Sequence, residues 1–378
     1  MTLSATPPPR PAWVEIDRAQ FRRNLELIHA DKPPGVKVLS VVKDNAFGHG
    51  AVELSRIALE TGVVHLAVVT LAEALELRGA GITAPILLLG NRQLEELPWC
   101  VEHDLSCAVQ DEENILALAR IATRANRRAA VHLKVNTGMN RFGRHWLEAT
   151  SLAELIHQQP SLELAGVMSH FAMSDESDKT FANLQIERFR EVQTALEARG
   201  IRPRYYHLCN SGGLLDLPHA HFDLVRVGLL PLGVFPSKVC RRIAGIAPVM
   251  AVKTRLAAVQ DIGVGDTVGY GLRYKAESPR RIGVLPVGYG DGFPRIRNQG
   301  HVLVRGHRAP LVGTVAMDAF MVDITDVPGA KIWDEVVLQG RQGDEEITAH
   351  DLAAWKGSVS YDILTSWRER LPRVYLPG

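Results

Sequence analysis

The stretch VKVLSVVKDNAFGHG, residues 36–50, decides how the N-terminal part of the chain folds. Its apolar, β-prone run predicts a buried strand, and this run ends at Lys43 before the chain passes into Asp, Asn, Gly and His. An ammonium group at the end of a buried strand loses hydration, so its pKa falls and the amine can serve as a nucleophile or base near neutral pH. A lone lysine is more often an ordinary surface residue, so the rest of the sequence has to decide between the two interpretations.

Seven further apolar runs resemble this one, and segments with helical periodicity lie between them. The eight predicted strands occupy residues 36–42, 65–69, 85–90, 105–109, 129–135, 163–169, 205–209 and 223–228. The helical patterns include residues 70–81, which begin with Thr70 as a cap, and residues 178–200. Because buried strands that alternate with helices pair in parallel, eight such units predict an α/β fold, an N-terminal (β/α)₈ barrel of the TIM type.

The pattern of predicted secondary structure changes after about residue 239. Apolar segments such as residues 281–290 and 301–316 alternate with Gly, Pro and Asp turns, and helical patterns are scarce until residues 347–357. We therefore predict two domains: residues 12–238 form the barrel, and residues 239–378 form a mostly β C-terminal domain.

Composition excludes several classes of function. The formal net charge of the 378 residues is +1, so no basic surface indicates nucleic acid, and a small-molecule partner is favoured. Neither a signal peptide nor a membrane-spanning run is apparent, which predicts a cytoplasmic protein without a membrane partner. The cysteines are scattered without metal-ligand spacing, so we expect no metal site and four free thiols, Cys100, Cys107, Cys209 and Cys240.

Unusual residues accumulate at the C-terminal ends of the predicted strands, where a barrel enzyme keeps its active site. They are Lys43, Lys134, Arg141, His170, His207, Asn210, Ser211, Arg226 and Gly228. Charged and polar residues are common in solvent-exposed loops, which would account for any one of these residues. It does not account for so many of them at the same ends of the strands. The motifs CNSGG and RVGLL follow strands seven and eight, where barrels often bind phosphate. With the strand-one lysine, they predict pyridoxal 5′-phosphate held covalently by Lys43.

Several blocks of the sequence carry a resemblance to a known family. They include VVKDNAFGHG, HLKVNTGMNRFG, HLCNSGG, DTVGYG, PVGYGDGFPR and SYDILTSWRERLPRVY. In this order, and from Trp13 to the end of the chain, they resemble the bacterial alanine racemases, fold type III pyridoxal-phosphate isomerases. The resemblance implies interconversion of L-alanine and D-alanine, a supply of D-alanine for peptidoglycan, and a head-to-tail homodimer with shared active sites.

The resemblance also implies the two catalytic bases. Lys43 carries the cofactor and is the base for the D-enantiomer, and Tyr270 is the base for the L-enantiomer. Tyr270 and Met317 act in trans, on the barrel of the partner subunit. Tyrosine is a weak acid and needs neighbouring donors or cations to act as a base at neutral pH. Without the resemblance, Tyr270 in a predicted hairpin would be interpreted as an aromatic core residue.

Further roles follow from the same resemblance. Arg226 approaches the pyridine nitrogen, His207 orients Arg226, and His170 lies against the cofactor ring. Arg141 and the Met317 N–H contact the substrate carboxylate, Tyr289 limits substrate size, and Lys134 matches a lysine that is carbamylated in many members. The expected phosphate donors are Ser211, the backbone of Gly228 and Leu229, and Tyr361, and Asn210 is also expected to bind the cofactor.

The sequence departs from the family pattern at four positions. Phe47 stands where the family usually has Tyr, which removes one phosphate contact worth about 1–2 kcal/mol. Asn136, Leu232 and Ala316 replace residues that are commonly Asp, Tyr, and Cys or Ser.

Three alternatives remain open from the sequence. A broad-specificity or serine racemase would share the fold. A fold type III decarboxylase would normally carry a catalytic cysteine and a glutamate near the pyridine nitrogen, where this chain has Arg226. A non-enzymatic cofactor-carrying protein of the single-barrel type would end after the barrel, whereas this chain continues for roughly 140 residues.

Overall fold

The computed structural model describes residues 10–377, and the chain forms two compact units. The barrel unit comprises Phe21–Ala46 and Gly50–Ala247. The β-rich unit comprises residues 10–20, 47–49 and 248–377 of the described chain. The domain limits expected from the sequence, 12–238 and 239–378, stay a prediction.

The secondary structure of residues 10–377 consists of strands, helices and short 3₁₀ turns. The strands are β1 (Ala12–Asp17), β2 (Lys37–Val41), β3 (His65–Val68), β4 (Ile86–Leu88), β5 (Leu105–Val109), β6 (Ala129–Asn136), β7 (Arg144–His145), β8 (Leu162–Met168), β9 (Tyr205–His207), β10 (Leu224–Val227), β11 (Met250–Arg255), β12 (Ala258–Ile262), β13 (Thr267–Val268), β14 (Tyr274–Lys275), β15 (Arg280–Leu285), β16 (His301–Val304), β17 (His307–Val312), β18 (Phe320–Asp323), β19 (Glu335–Gln342), β20 (Glu345–Ile347) and β21 (Arg373–Leu376). The helices are α1 (Arg18–Asp31), α2 (Lys43–Gly48), α3 (Ala51–Glu60), α4 (Leu71–Gly79), α5 (Leu97–Glu102), α6 (Glu112–Arg124), α7 (Ala149–His157), α8 (Thr180–Glu197), α9 (Ser211–Asp216), α10 (Ala349–Lys356) and α11 (Ser360–Ser366).

The predicted parallel barrel is confirmed. Its eight strands pair in the order β10-β2-β3-β4-β5-β6-β8-β9, and every pairing in this path is parallel. Between β9 and β10 the ladder is sparse, but Asp223 N–H donates to Tyr206 O (3.1 Å) and Arg226 N–H donates to Cys209 O (2.9 Å). The barrel is therefore nearly closed.

Burial explains why these strands read as continuous apolar runs rather than alternating ones. Every residue of β3 and β5 is buried, because the barrel interior covers one face and the helices cover the other. One part of the interior is a hydrophobic cluster with side chains from six strands: Leu39, Ala67, Leu87, Ala108, Met168 and Leu224. Side chains of this size fill the interior, which makes it a packed core rather than a pore.

The segment after β2 is a left-handed helical turn. Asp44, Asn45, Ala46 and Phe47 have φ between 51° and 53°, a conformation that costs about 1–2 kcal/mol per residue for L-amino acids. Hydrogen bonds offset part of this strain: Asn45 accepts from Ala51 N–H through its side chain (2.8 Å) and from Gly50 N–H through its carbonyl (2.9 Å). The turn fixes where Lys43, its first residue, stands.

The β-rich unit is built on a ten-stranded sheet, as the predicted mostly β domain requires. The order of its main path is β12-β15-β18-β17-β16-β19-β11-β1-β21, and β20 pairs with β19. The pairings are antiparallel except that of β1 with β21. Two short helices, α10 and α11, follow. A capping box between Thr348 and Asp351 starts α10, and the C-cap residue after Lys356 is Gly357, whose φ of 70° favours glycine.

Candidate active site

The predicted site residues of the barrel unit lie at the C-terminal ends of its strands. Lys43 follows β2 by two residues, and Lys134 lies near the end of β6. The other members are Arg141 after β6, His170 after β8, His207 at the end of β9, and Arg226 in β10. Because the strands are parallel, these ends open on one face of the barrel.

A cluster of cations gathers at this face. Burial first, and then the positive charges of nearby side chains, lower the pKa of His170 well below its ordinary value; the charges are those of Arg226, Lys134, Arg141 and Lys43. The pKa of Lys134 is likewise well below its ordinary value, through burial and then Arg226 and Arg141. Because these positive charges repel one another, an anionic ligand would be attracted here.

The amine of Lys43 is prepared to react. Burial, and then Arg141, lower the pKa of Lys43, while Glu73 and Asp44 act in the opposite direction. Glu73 anchors the turn: its carboxylate accepts hydrogen bonds from the N–H groups of Asp44, Val69 and Thr70. The lowered pKa increases the neutral, nucleophilic fraction of the amine near pH 7.

Arg226 lies at the centre of a network of acceptors. Its terminal nitrogens donate to the carbonyl oxygens of His207 (3.1 Å), Ser169 (2.8 Å) and Leu208 (3.1 Å). They also donate to Nδ1 of His207 (3.2 Å) and Nδ1 of His170 (2.9 Å). Burial lowers the pKa of Arg226 to about 10, so it stays charged at neutral pH. Its Nε–H donates to no acceptor within residues 10–377, and it is the donor that remains for a ligand.

Ser211 stands between strands seven and eight of the barrel, as the CNSGG and RVGLL motifs predict. Its hydroxyl oxygen accepts hydrogen bonds from Gly228 N–H (3.3 Å) and Leu230 N–H (3.4 Å). The Ser211 hydroxyl and the N–H groups of the loop after β10 therefore lie next to each other. Leu229 lies between these two donors. Asn210 instead caps α9, because its Oδ1 accepts from Gly213 N–H (2.9 Å) and from the Ser174 hydroxyl (2.8 Å).

The four cysteines are free and buried, as predicted. Cys209 donates to Ala220 O (3.0 Å), and burial raises its pKa to about 12. A thiol with such a pKa is not a nucleophile at neutral pH, so Cys209 belongs to the packing of the barrel rather than to its chemistry.

Tyr270 occupies the tip of a tight hairpin in the β-rich unit, between β13 and β14. The flanking glycines, Gly269 and Gly271, have φ of 74° and 73°, which brings the two short strands together around the tyrosine. The side chain is 78% exposed. The interpretation of Tyr270 as a core aromatic residue is therefore wrong.

Met317 and Tyr289 lie on two loops that are connected by backbone hydrogen bonds. Tyr289 N–H donates to Ala316 O (3.1 Å), and Gly290 N–H donates to Met317 O (2.9 Å). The loops approach so closely that a Cβ at Gly288 would stand 2.2 Å from Ala316 O. Buried Asp291 braces them through Gly288 N–H (2.9 Å) and ion pairs with Arg10 and Arg370. The two loops therefore form one rigid surface within the β-rich unit.

Phe47 and Tyr361 meet within the β-rich unit. Their ring centroids are 6.4 Å apart and their planes are inclined by 54°. Phe47 is buried and Tyr361 is 39% exposed. The residue that departs from the family pattern thus touches a tyrosine expected to bind phosphate.

The other departures have local explanations. The Asn136 side-chain oxygen accepts from Gly138 N–H (3.0 Å) and Asn140 N–H (3.1 Å), which an aspartate would also do, and it shapes the loop that leads to Arg141. Leu232 is buried in a 3₁₀ turn after β10. Ala316 gives its carbonyl to Tyr289 N–H and needs no polar side chain for this.

The donor set fits pyridoxal 5′-phosphate. The barrel offers an amine of lowered pKa at Lys43, a hydroxyl with adjacent N–H groups at Ser211, and the Nε–H of Arg226, which the network of this side chain leaves unused. A lysine that can bond to an aldehyde, a phosphate cradle and a donor for a ring nitrogen are the three features that this cofactor requires.

Three contributors were missed by the sequence-based prediction. Glu73 lies in the T-x-x-E capping box of α4, a signal that indicates a helix start but not a contact with Asp44. Asp291 lies inside the GYGDGF block, and His132 precedes Lys134 by two residues on β6 and so shares its face. Period-2 alternation could have found His132.

Comparisons with known proteins show which family the chain resembles. The family model for the alanine racemase N-terminal domain matches residues 16–236, and that for the C-terminal domain matches residues 249–375. The alanine racemase of Syntrophobacter fumaroxidans is 42% identical over 359 residues, 94% of this chain and 95% of that protein.

Solved structures extend the similarity to three dimensions. The alanine racemase from the D-cycloserine producer Streptomyces lavendulae is 36% identical with a TM-score of 0.92, covering 98% of both chains. The alanine racemase of Bacillus anthracis with bound L-Ala-P is 33% identical with a TM-score of 0.91, covering 99% of this chain and 97% of that one.

Proposed function

The chain belongs to the alanine racemase family, and on that premise we propose that Lys43 and Tyr270 are the two bases with which it interconverts L-alanine and D-alanine. The family is one of isomerases that depend on pyridoxal 5′-phosphate. The observation that carries the assignment is Lys43, an amine of lowered pKa at the mouth of the barrel, beside the cations Lys134, Arg141 and Arg226.

Residues of the barrel would hold the cofactor. Lys43 would bind it covalently, and Ser211 with the Gly228 and Leu229 N–H groups would bind its phosphate, assisted by Tyr361. When bound, pyridoxal phosphate supplies an electron sink that makes the α-proton of an attached amino acid removable. The Nε–H of Arg226 would meet the pyridine nitrogen. A guanidinium does not readily give up a proton, so Arg226 keeps this nitrogen unprotonated and limits side reactions.

Two bases on opposite faces would accomplish the inversion. Lys43 Nζ removes the α-proton of D-alanine, and Tyr270 Oη returns a proton from the other face; in the reverse direction their roles exchange. Tyr270 is 78% exposed and Met317 is 53% exposed in the single chain. A base in a water-excluding site has to be covered, which supports a homodimer in which both residues serve the partner subunit's barrel.

Arg141 and the Met317 N–H would bind the substrate carboxylate, and the rigid loop of Tyr289 would set the size of the substrate. His170 would lie against the cofactor ring, and His207 would orient Arg226. Lys134 would be carbamylated: its nitrogen would bond to the carbon of CO₂ and lose a proton, and the resulting anion would sit among the cations and position Arg141.

In the cell the enzyme would supply D-alanine for peptidoglycan from the cytoplasm. No helix within residues 10–377 is both long and apolar enough to cross a membrane. A small amino acid and a second copy of the chain are the partners we propose, without nucleic acid or membrane.

A product assay tests the reaction. Purified enzyme is incubated with L-alanine, L-serine and L-lysine, and D-products are measured by chiral chromatography. D-alanine as the dominant product supports the proposal. Comparable D-serine or D-lysine would indicate a broad-specificity racemase, and CO₂ release without racemisation would indicate a decarboxylase. Absence of turnover with bound cofactor would indicate a non-enzymatic carrier.

A further inference from the structure

Two buried imidazoles lie in line behind Arg226 inside the barrel. Nδ1 of His207 lies 3.2 Å from the Arg226 terminal nitrogen, and Nε2 of His207 lies 2.9 Å from Nδ1 of His132. The rings of His132 and His207 are nearly perpendicular, at 85°, and both residues are 0% exposed. The contact therefore extends the network of Arg226 away from the mouth of the barrel.

The ring nitrogen that carries the proton in His207 and in His132 follows from the hydrogen-bonding partners. A guanidinium has no acceptor, so His207 Nδ1 must accept from Arg226 and the His207 proton must lie on Nε2. That N–H can only donate to His132 Nδ1, so the His132 proton lies on its own Nε2. Both rings are neutral: burial, then Arg226, lower the pKa of His207 well below its ordinary value, and burial lowers that of His132 to about 3.

Two features of the backbone place His132 in this position. The register of β6 against β8 shifts between Val131 and His132, because β8 carries one extra residue, Ala165, in a β-bulge that brings Gly166 opposite His132. On β8, a Cβ at Gly166 would stand 2.3 Å from His132 Nδ1 and 3.0 Å from His207 Nε2. A side chain there would occupy the place of the hydrogen bond itself, so Gly166 leaves the room that the bond needs.

We propose that His132 is a positioning residue for the racemisation: it fixes the tautomer of His207 and, through it, the orientation of Arg226. This inference rests on the proposed role of Arg226. Without the His132 acceptor, the buried His207 Nε2–H loses its partner. The opposite tautomer would then compete, and its Nδ1–H would point at the N–H of Arg226 and push the guanidinium away.

Nuclear magnetic resonance of the ¹⁵N-histidine-labelled enzyme, with and without cofactor, tests the tautomer directly. His132→Leu removes the acceptor, and His132→Asn restores one, since the amide oxygen stands about where Nδ1 stood. We expect the Nε2–H tautomer at His207 in the wild type and His132→Asn, and a mixture in His132→Leu. The matched control is His221→Leu, another buried imidazole, which bonds Leu214 O and lies outside the line.

Kinetics provide the second measurement. We expect His132→Leu to lower kcat about tenfold with KM for alanine changed less than about twofold, since partners of this kind commonly contribute tenfold or more. His132→Asn should recover most of that loss, and His221→Leu should retain the wild-type rate per folded molecule. An unchanged His207 tautomer in His132→Leu, or a His132→Asn variant as slow as His132→Leu, overturns the inference.

Gly166 gives an independent test through a double-mutant cycle. Gly166→Ala should lower kcat about tenfold in the wild type but less than about twofold in a His132→Ala background, where the closest clash of the added methyl group, 2.3 Å from His132 Nδ1, is gone. Additive losses would contradict the inference. Absence of racemisation by the wild-type enzyme would refute the proposed function, whereas a His207 tautomer indifferent to His132 would refute this inference alone.

Discussion

The ring centroids of Phe47 and Tyr361 lie 6.4 Å apart within the β-rich unit. Phe47, which lacks the hydroxyl of the tyrosine usual at this position, therefore contacts a residue that has a phenolic hydroxyl. We expect Phe47→Tyr to lower the Kd for pyridoxal 5′-phosphate about tenfold, because one added hydrogen bond to a charged phosphate contributes about 1.5 kcal/mol. Fluorescence titration of the cofactor-free enzyme measures the constant.

The opposite change on the same ring pair is the matched control. Tyr361→Phe should raise the Kd about tenfold if Tyr361 is a phosphate donor. A Phe47→Tyr variant that binds no tighter than the wild type would mean that Tyr361 or water already satisfies the phosphate.

Complementation between two inactive variants tests whether Tyr270 acts in trans. Lys43→Ala and Tyr270→Phe should each abolish racemisation. Because a symmetric dimer has two sites, co-expression should restore about a quarter of the wild-type activity, from mixed dimers with one intact site. If Tyr270 served the barrel of its own chain, the mixture would stay inactive.

The amine of Lys134 should carry CO₂. Its pKa is held well below the ordinary value by burial, Arg226 and Arg141, and only the neutral form of an amine bonds to CO₂. After incubation with ¹³C-bicarbonate, a carbamate resonance is expected in the wild type and in Lys37→Gln, a change at an exposed lysine. The same signal in Lys134→Gln would disprove the assignment.

Glu73 should make stability depend on pH. Burial opposes the shift, but hydrogen bonds from Thr70, Asp44 and Val69 lower its pKa. A lowered folded-state pKa stabilises the protein above the unfolded-state value, near 4.5, and this contribution is lost as the pH falls through the folded-state value. At pH 7, Glu73→Gln should reduce the free energy of unfolding by about 1–3 kcal/mol.

Urea unfolding at several pH values measures this effect. The difference between wild type and Glu73→Gln should shrink below about pH 4.5. Glu76→Gln, on the same helix and exposed, should change stability little at any pH. A difference between wild type and Glu73→Gln that stays constant down to pH 3 would show that the carboxylate charge does not stabilise the turn.

The barrel, the mostly β unit and the position of Lys43 just after a buried strand could all be predicted from the sequence alone. These depend on local pattern: continuous apolar runs make strands that are buried on both faces, and parallel strands bring their C-terminal ends together. The resemblance then supplied roles for Tyr270, Arg226 and Met317, because motifs preserve residue types in order.

How those residues are held depends on tertiary contacts. The left-handed turn at residues 44–47, the Glu73 brace and the hydrogen bond between His132 and His207 join segments that are distant in sequence. The sequence pattern of His132 shows only that it shares a face with Lys134. That its ring meets His207 depends on a bulge in β8, opposite His132, and on the missing Cβ at Gly166, and such contacts are set by packing in three dimensions, which no local pattern encodes.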